Sequence, residues 1–223
     1  MKPFMRLLKR VWLLKCARLL KRELKIAGIN PVLLFLSVTA VFALLSVFGG
    51  ELLRLSIIGF EVIFPVFAAI AVSEWGKTKA DDNFDIIAAQ SCSLFQWILC
   101  RFTVFFMGTT VFALCAMMFV RAVRKEMPVT EMLFLYLPTA FFLSTVSALF
   151  GICFSEEHAA TLACGLLWLS ALIARGLLRL PGVAYFYPFI RYAGDRDGAW
   201  LVSKAVLCVI SLLLWGVIFQ KTR

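Results

Sequence analysis

Charge is what this chain has least of. Asp, Glu, Lys and Arg make up 16% of its 223 residues, and apolar or aromatic residues make up 62%. A soluble domain carries about 25% charged and about 45–50% apolar residues. A body of this size has too little interior to hide 22 Phe side chains, so a water-soluble globule is excluded and lipid is the expected surrounding. Histidine is nearly missing: His158 stands alone, and a zinc site usually takes three or four protein ligands. The cysteines Cys16, Cys92, Cys100, Cys115, Cys153, Cys164 and Cys208 are scattered, with no close pair of the zinc or redox kind. They read as small hydrophobes, and no structural disulfide is expected.

Catalytic signatures are lacking as well. Gly76-Lys77-Thr78 ends like a phosphate-binding loop, but Ala71 stands where that loop needs its first Gly. Glu156-Glu157-His158 is similar to the paired glutamates of prenyl-protein-type intramembrane proteases, yet Thr161 occupies the place of their Arg, and further histidines are wanting. No Ser has Gly two residues to each side, as a nucleophile elbow requires. The expectation is a chain that is not itself an enzyme and holds no cofactor or metal.

What is present is long apolar runs. A membrane helix needs about 20 mainly apolar residues to cross a hydrocarbon layer ~30 Å thick. Runs of this kind lie at about 31–48, 55–73, 102–120, 132–155, 159–174 and 205–220. The fold expected is therefore all-α and integral to the membrane, with six spans over residues 27–223. The first run reads as a retained anchor rather than a cleaved signal, since a long basic region precedes it and no small-x-small site follows.

The basic excess, a formal +10, is concentrated before that run: Lys2, Arg6, Lys9, Arg10, Lys15, Arg18, Lys21, Arg22 and Lys25. Beside an apolar stretch this points to a membrane surface rather than nucleic acid. By the positive-inside rule both termini face the cytoplasm. Phe4, Leu7, Leu8 and Val11 share one helical face opposite Lys2, Arg6, Lys9 and Arg10. Residues 1–26 thus read as an amphipathic helix lying in the interface.

Charges inside spans are costly and so carry the functional signal. Glu61 lies in the second run, four residues before Pro65, whose missing N–H frees the carbonyl of residue 61. Glu61 is the candidate for a substrate path or a gate. Arg101, at the edge of the third run, is expected to snorkel to the interface. Two connecting segments exceed simple turns. Residues 74–101 are amphipathic and mixed in charge. Residues 175–204 are apolar but broken by Pro181-Gly182 and Pro188, which suits a re-entrant helical pair in the outer leaflet.

This order of features resembles the permease subunit of type-2 ABC exporters. Ser73-Glu74, Thr78, Ile86-Ile87 and the stretch Ser91 to Phe102 are similar to that family's pattern after its second span. Cys92 and Arg101 stand where the family usually has Pro and Lys; Pro138, Pro181 and Pro188 are also similar. The resemblance implies a homodimer bound to two copies of a separate cytoplasmic ATPase, in a bacterial plasma membrane. ATP and Mg²⁺ belong to that partner. It further implies that residues 74–101 form a coupling segment, with Asp81, Asp82, Asp85, Ile87, Leu94 and Trp97 as its ATPase-facing contacts. Aromatic surface at Phe42, Phe48, Phe105, Phe106, Phe112, Phe141 and Phe142 suits a hydrophobic or amphipathic cargo, such as a peptide, drug or lipid-like molecule. A scaffold that only anchors a cytoplasmic partner would account for the spans and the basic helix, but not for the two long connecting segments.

Overall fold

A computed structural model describes residues 30–48, 52–81, 93–123, 129–156, 158–179, 182–194 and 199–223. Among the described residues the chain is helical, with no strand. In lipid this is the arrangement that satisfies each backbone group within its own segment. Helix α1 is Asn30–Phe48, with Pro31 in its first turn. Then come α2 (Leu52–Ile57), a π-helical segment (Ile58–Ile63) and α3 (Phe64–Trp75), which follow one another without a break. The long helices α4 (Leu94–Val123) and α5 (Val129–Cys153) follow. Helix α6 (Ala159–Ile173) runs into a 3-10 stretch, Ala174–Arg179. A second 3-10 turn (Val183–Phe186) and the single-turn α7 (Ile190–Ala193) lead to α8 (Ala199–Thr222).

Among the described residues, five stretches are long and apolar enough to cross a membrane: Arg54–Trp75, Leu94–Val123, Val129–Cys153, Ala159–Leu178 and Trp200–Thr222. Another apolar stretch, Leu33–Leu44 within α1, is shorter. The helix boundaries differ from the runs read in the sequence at two places that matter. The third helix starts at Leu94 rather than near 102 and, at 30 residues, is about 45 Å long. It outreaches a hydrocarbon layer ~30 Å thick, and Leu94, Trp97 and Arg101 belong to this helix rather than to a separate segment. The last helix begins at Ala199, not 205, which brings Lys204 inside it.

The α2–α3 unit and α5 are central: 67% and 61% of their apolar windows are buried, against 6% for the Ala159–Leu178 stretch. Around them lie three apolar clusters. One joins Phe42 of α1 to Phe60, Phe64, Met117, Met132 and Tyr136. The second packs Val62, Leu143 and Cys164 against Tyr187, Phe189 and Ile190 of the segment before α8. The third gathers Val72, Ile98, Phe102, Phe105, Ile152 and Ile218. Phe42 and Phe105, read as cargo surface in the sequence, are taken up in this helix packing. Gly59 is required here: a Cβ on it would lie 2.0 Å from Cε2 of Phe42, whose ring rests on the helix backbone. Cys100, Cys115, Cys153, Cys164 and Cys208 are unbridged.

Candidate functional site: a buried ion pair and a polar latch

Glu61 sits in the π-helical segment, fully buried. A π turn takes in one extra residue, so the Phe64 N–H reaches back to the Gly59 carbonyl. Pro65 cannot donate, and the widened turn leaves carbonyls for other partners. The Trp168 indole N–H of α6 donates to the Val62 carbonyl at 3.1 Å. The segment thereby turns Glu61 toward α5, α8 and the residues before α8.

Lys204 of α8 meets it there, 3% exposed. Its ammonium has three donors, and three acceptors surround it. These are Glu61 Oε1 at 2.6 Å, Thr139 Oγ1 of α5 at 2.7 Å and the Pro188 carbonyl at 2.6 Å. The Glu61 carboxylate also accepts the backbone N–H of Arg191 at 3.3 Å and that of Tyr192 at 2.6 Å. The Thr139 hydroxyl in turn donates to the Leu135 carbonyl at 3.1 Å.

Removing two charges from water costs several kcal/mol per ion, and mutual attraction offsets that only when the remaining hydrogen bonds are made. Here they are made. The cluster is neutral and saturated, and it ties three spans to residues 188–192. What it does chemically is hold that segment in place.

The same segment is fastened from its other side. Ser203 donates to the Tyr187 carbonyl at 2.8 Å, and the Tyr187 hydroxyl donates to the Ala171 carbonyl at 2.8 Å. Burial pushes the Tyr187 phenol up from its ordinary value. Arg191 pairs with Glu131 at 3.1 Å, and Arg175 donates to the Ala193 carbonyl at 2.9 Å.

A second polar cluster lies where α3 ends and α4 begins. Arg101 donates to the Lys77 carbonyl and, at 2.9 Å, to Asp81 Oδ2. Its guanidinium stands 4.1 Å from the ring centre of Trp97. Arg101 is 5% exposed, and one terminal nitrogen of its guanidinium finds both of these acceptors inside the protein. The loop it holds is also joined to α5, with the Lys79 N–H donating to the Gly151 carbonyl at 3.2 Å. Nearby, Thr161 donates to Glu74, which also meets His158 Nδ1 at 3.2 Å, and the Ser73 and Thr161 hydroxyls are 2.7 Å apart.

Of the residues singled out in the sequence, Asp81 and Trp97 come together around Arg101, and Leu94 begins α4 three residues earlier. Asp82, Asp85 and Ile87 lie outside the described residues, as does the amphipathic stretch 1–26. Lys204 and Thr139 went unnoticed in the sequence. A signal existed for Lys204: it shares a face with Leu207 and Ser211 at helical spacing, inside an otherwise apolar run. Among the described residues, no group of three or more His, Cys, Asp or Glu is placed to hold a metal ion.

No family model matches the chain, and neither does a curated protein or a solved structure.

Proposed function

We propose that this chain is the membrane-spanning subunit of an ATP-driven exporter of the type-2 ABC kind. It forms the translocation path as a homodimer and couples to a separate cytoplasmic ATPase that binds ATP and Mg²⁺. The chain itself performs no hydrolysis. It resides in a bacterial plasma membrane with both termini in the cytoplasm, and residues 1–26 lie along the interface. The α1 helix completes six spans, and the segment before α8 dips into the outer leaflet. The cargo is hydrophobic or amphipathic.

The observation that carries the reading is the connection between α3 and α4. Its two ends, residues 76–81 and the first turns of α4, are clasped together by Arg101 and joined to α5 through Lys79. Eleven residues, 82–92, run between these clasped ends, and Asp82, Asp85 and Ile87 among them suit a mixed polar and apolar contact with an ATPase. A short segment on a rigid base is what a rigid-body push on a helix bundle needs. At the opposite end, Glu61 and Lys204 hold residues 188–192 against the bundle, which fits a gate on the outer side of the path.

The test is copurification. The tagged chain, expressed with its genomic neighbours and extracted in mild detergent, is expected to bring down an ATPase with a phosphate-binding loop. Replacing Asp85 and Leu94 together is expected to weaken that association or to abolish transport. Retention of both would remove the coupling role from this segment. Absence of any ATPase would favour the anchoring scaffold.

A further inference from the structure

Three acceptors surround the Lys204 ammonium, and none belongs to its own helix. Glu61 comes from the π-helical segment, Thr139 from α5, and the Pro188 carbonyl from the segment before α8. Glu61 and Thr139 are also held by contacts that do not involve Lys204. The Tyr192 N–H donates to Glu61 Oε2 at 2.6 Å, and the Arg191 N–H reaches Oε1 at 3.3 Å. The Thr139 hydroxyl lies 3.1 Å from the Leu135 carbonyl and 3.4 Å from that of Pro188. The three oxygens therefore form a cradle built without α8. With the lysine withdrawn, the cradle would keep a buried carboxylate without a cation, a costly state that favours another ammonium in its place. Apolar side chains flank it: Val62 next to Glu61, Phe189 next to Pro188 and Leu143 one turn from Thr139, all in one packed cluster.

We propose that this cradle is a recognition site for primary ammonium groups, occupied here by the chain's own Lys204, and that an amphipathic primary amine is the ligand that displaces it. An ammonium with three N–H donors matches three acceptors one for one. A quaternary ammonium has no N–H to give, and a guanidinium sets its donors in a flat fork. The neighbouring apolar cluster suits an alkyl or aromatic stem. Lys204 lies five residues into α8, about 7.5 Å from its start. Its four-carbon stem lets the ammonium move toward that helix end when a ligand takes its place. Naming the ligand a cargo rests on the exporter reading; the ammonium site itself does not.

The experiment uses the full chain in lipid nanodiscs and reads thermal unfolding. Lys204→Ala vacates the cradle and leaves room for the missing stem. n-Propylammonium is expected to raise the unfolding temperature of this variant saturably, and tetramethylammonium is expected not to. The wild type should be stabilised saturably by n-dodecylammonium, but at a concentration about tenfold or more above that needed by Lys204→Ala, because the lysine must first be displaced. Dodecyltrimethylammonium, with the same tail, should stabilise neither, and Glu61→Gln should abolish the response to the primary amine. If Lys204→Ala does not accumulate, the comparison of wild type with Glu61→Gln decides. Equal responses to primary and quaternary amines, or a wild type indifferent to n-dodecylammonium, overturn the inference and leave the exporter reading to its own copurification test. Saturable, Glu61-dependent stabilisation of a chain that brings down no ATPase supports the ammonium site and removes the cargo role.

Discussion

Glu61 and Lys204 decide whether the spans and residues 188–192 stay together. Either charge left alone in this interior is far costlier than the pair, since each is buried and bonded only to the other and its neighbours. Glu61→Met or Lys204→Met alone is expected to destabilise the protein by about 3–5 kcal/mol, and the double substitution by less than either. Unfolding of the purified variants in micelles checks this, and additive losses would contradict it. Thr139→Val removes one acceptor of a saturated ammonium and is expected to cost about 1–3 kcal/mol in the same assay. Glu61 was legible in the sequence because an acid inside an apolar run is conspicuous. Its partner was not. Lys204 lies 143 residues away and reads as the edge of a loop until the helix is seen to start at Ala199. Arg191 and Tyr192 contribute backbone amides, which no side-chain pattern records.

At the scale of elements, the apolar runs announced the helices well, because lipid demands length and low polarity and both are visible residue by residue. The π-helical segment was only half legible. Pro65 marks a break in the helical ladder, but the extra residue in the turn depends on Phe42 lying across Gly59 and on Trp168 reaching Val62, contacts between distant parts of the chain. Gly59→Ala is therefore expected to destabilise by about 1–3 kcal/mol through overpacking. Phe42→Leu should recover part of that loss, and failure of the rescue would place the strain elsewhere. The ends of α4 and α8 were misjudged for a shared reason. Arg101 and Lys204 look like loop residues by polarity, yet each is held within a helix by partners from other elements.

Among the described residues, two groups of charged ties stand out, one around Glu61 and Lys204 and one around Arg101 and Asp81. The α6 helix stands at the rim, with Leu166 67% exposed and Ile173 76% exposed, a surface that suits lipid or a second copy. Leu166→Arg is expected to lower the membrane-inserted yield, since Arg near mid-bilayer costs about 2.5–3.5 kcal/mol on insertion scales; unchanged yield would argue against lipid on that face. The two groups have different tasks in the proposed account. One fastens residues 188–192 through Glu61 and Lys204, and the other fastens residues 76–81 to α4 through Arg101. Such a division fits a membrane subunit driven from one side by a partner. The measurement that bears on this most directly is ATP hydrolysis in proteoliposomes, with the purified chain alone and with its copurified partner. The account predicts no hydrolysis by the chain alone and steady hydrolysis by the complex. Hydrolysis by the chain alone, or a copurified complex that hydrolyses no ATP, would contradict it.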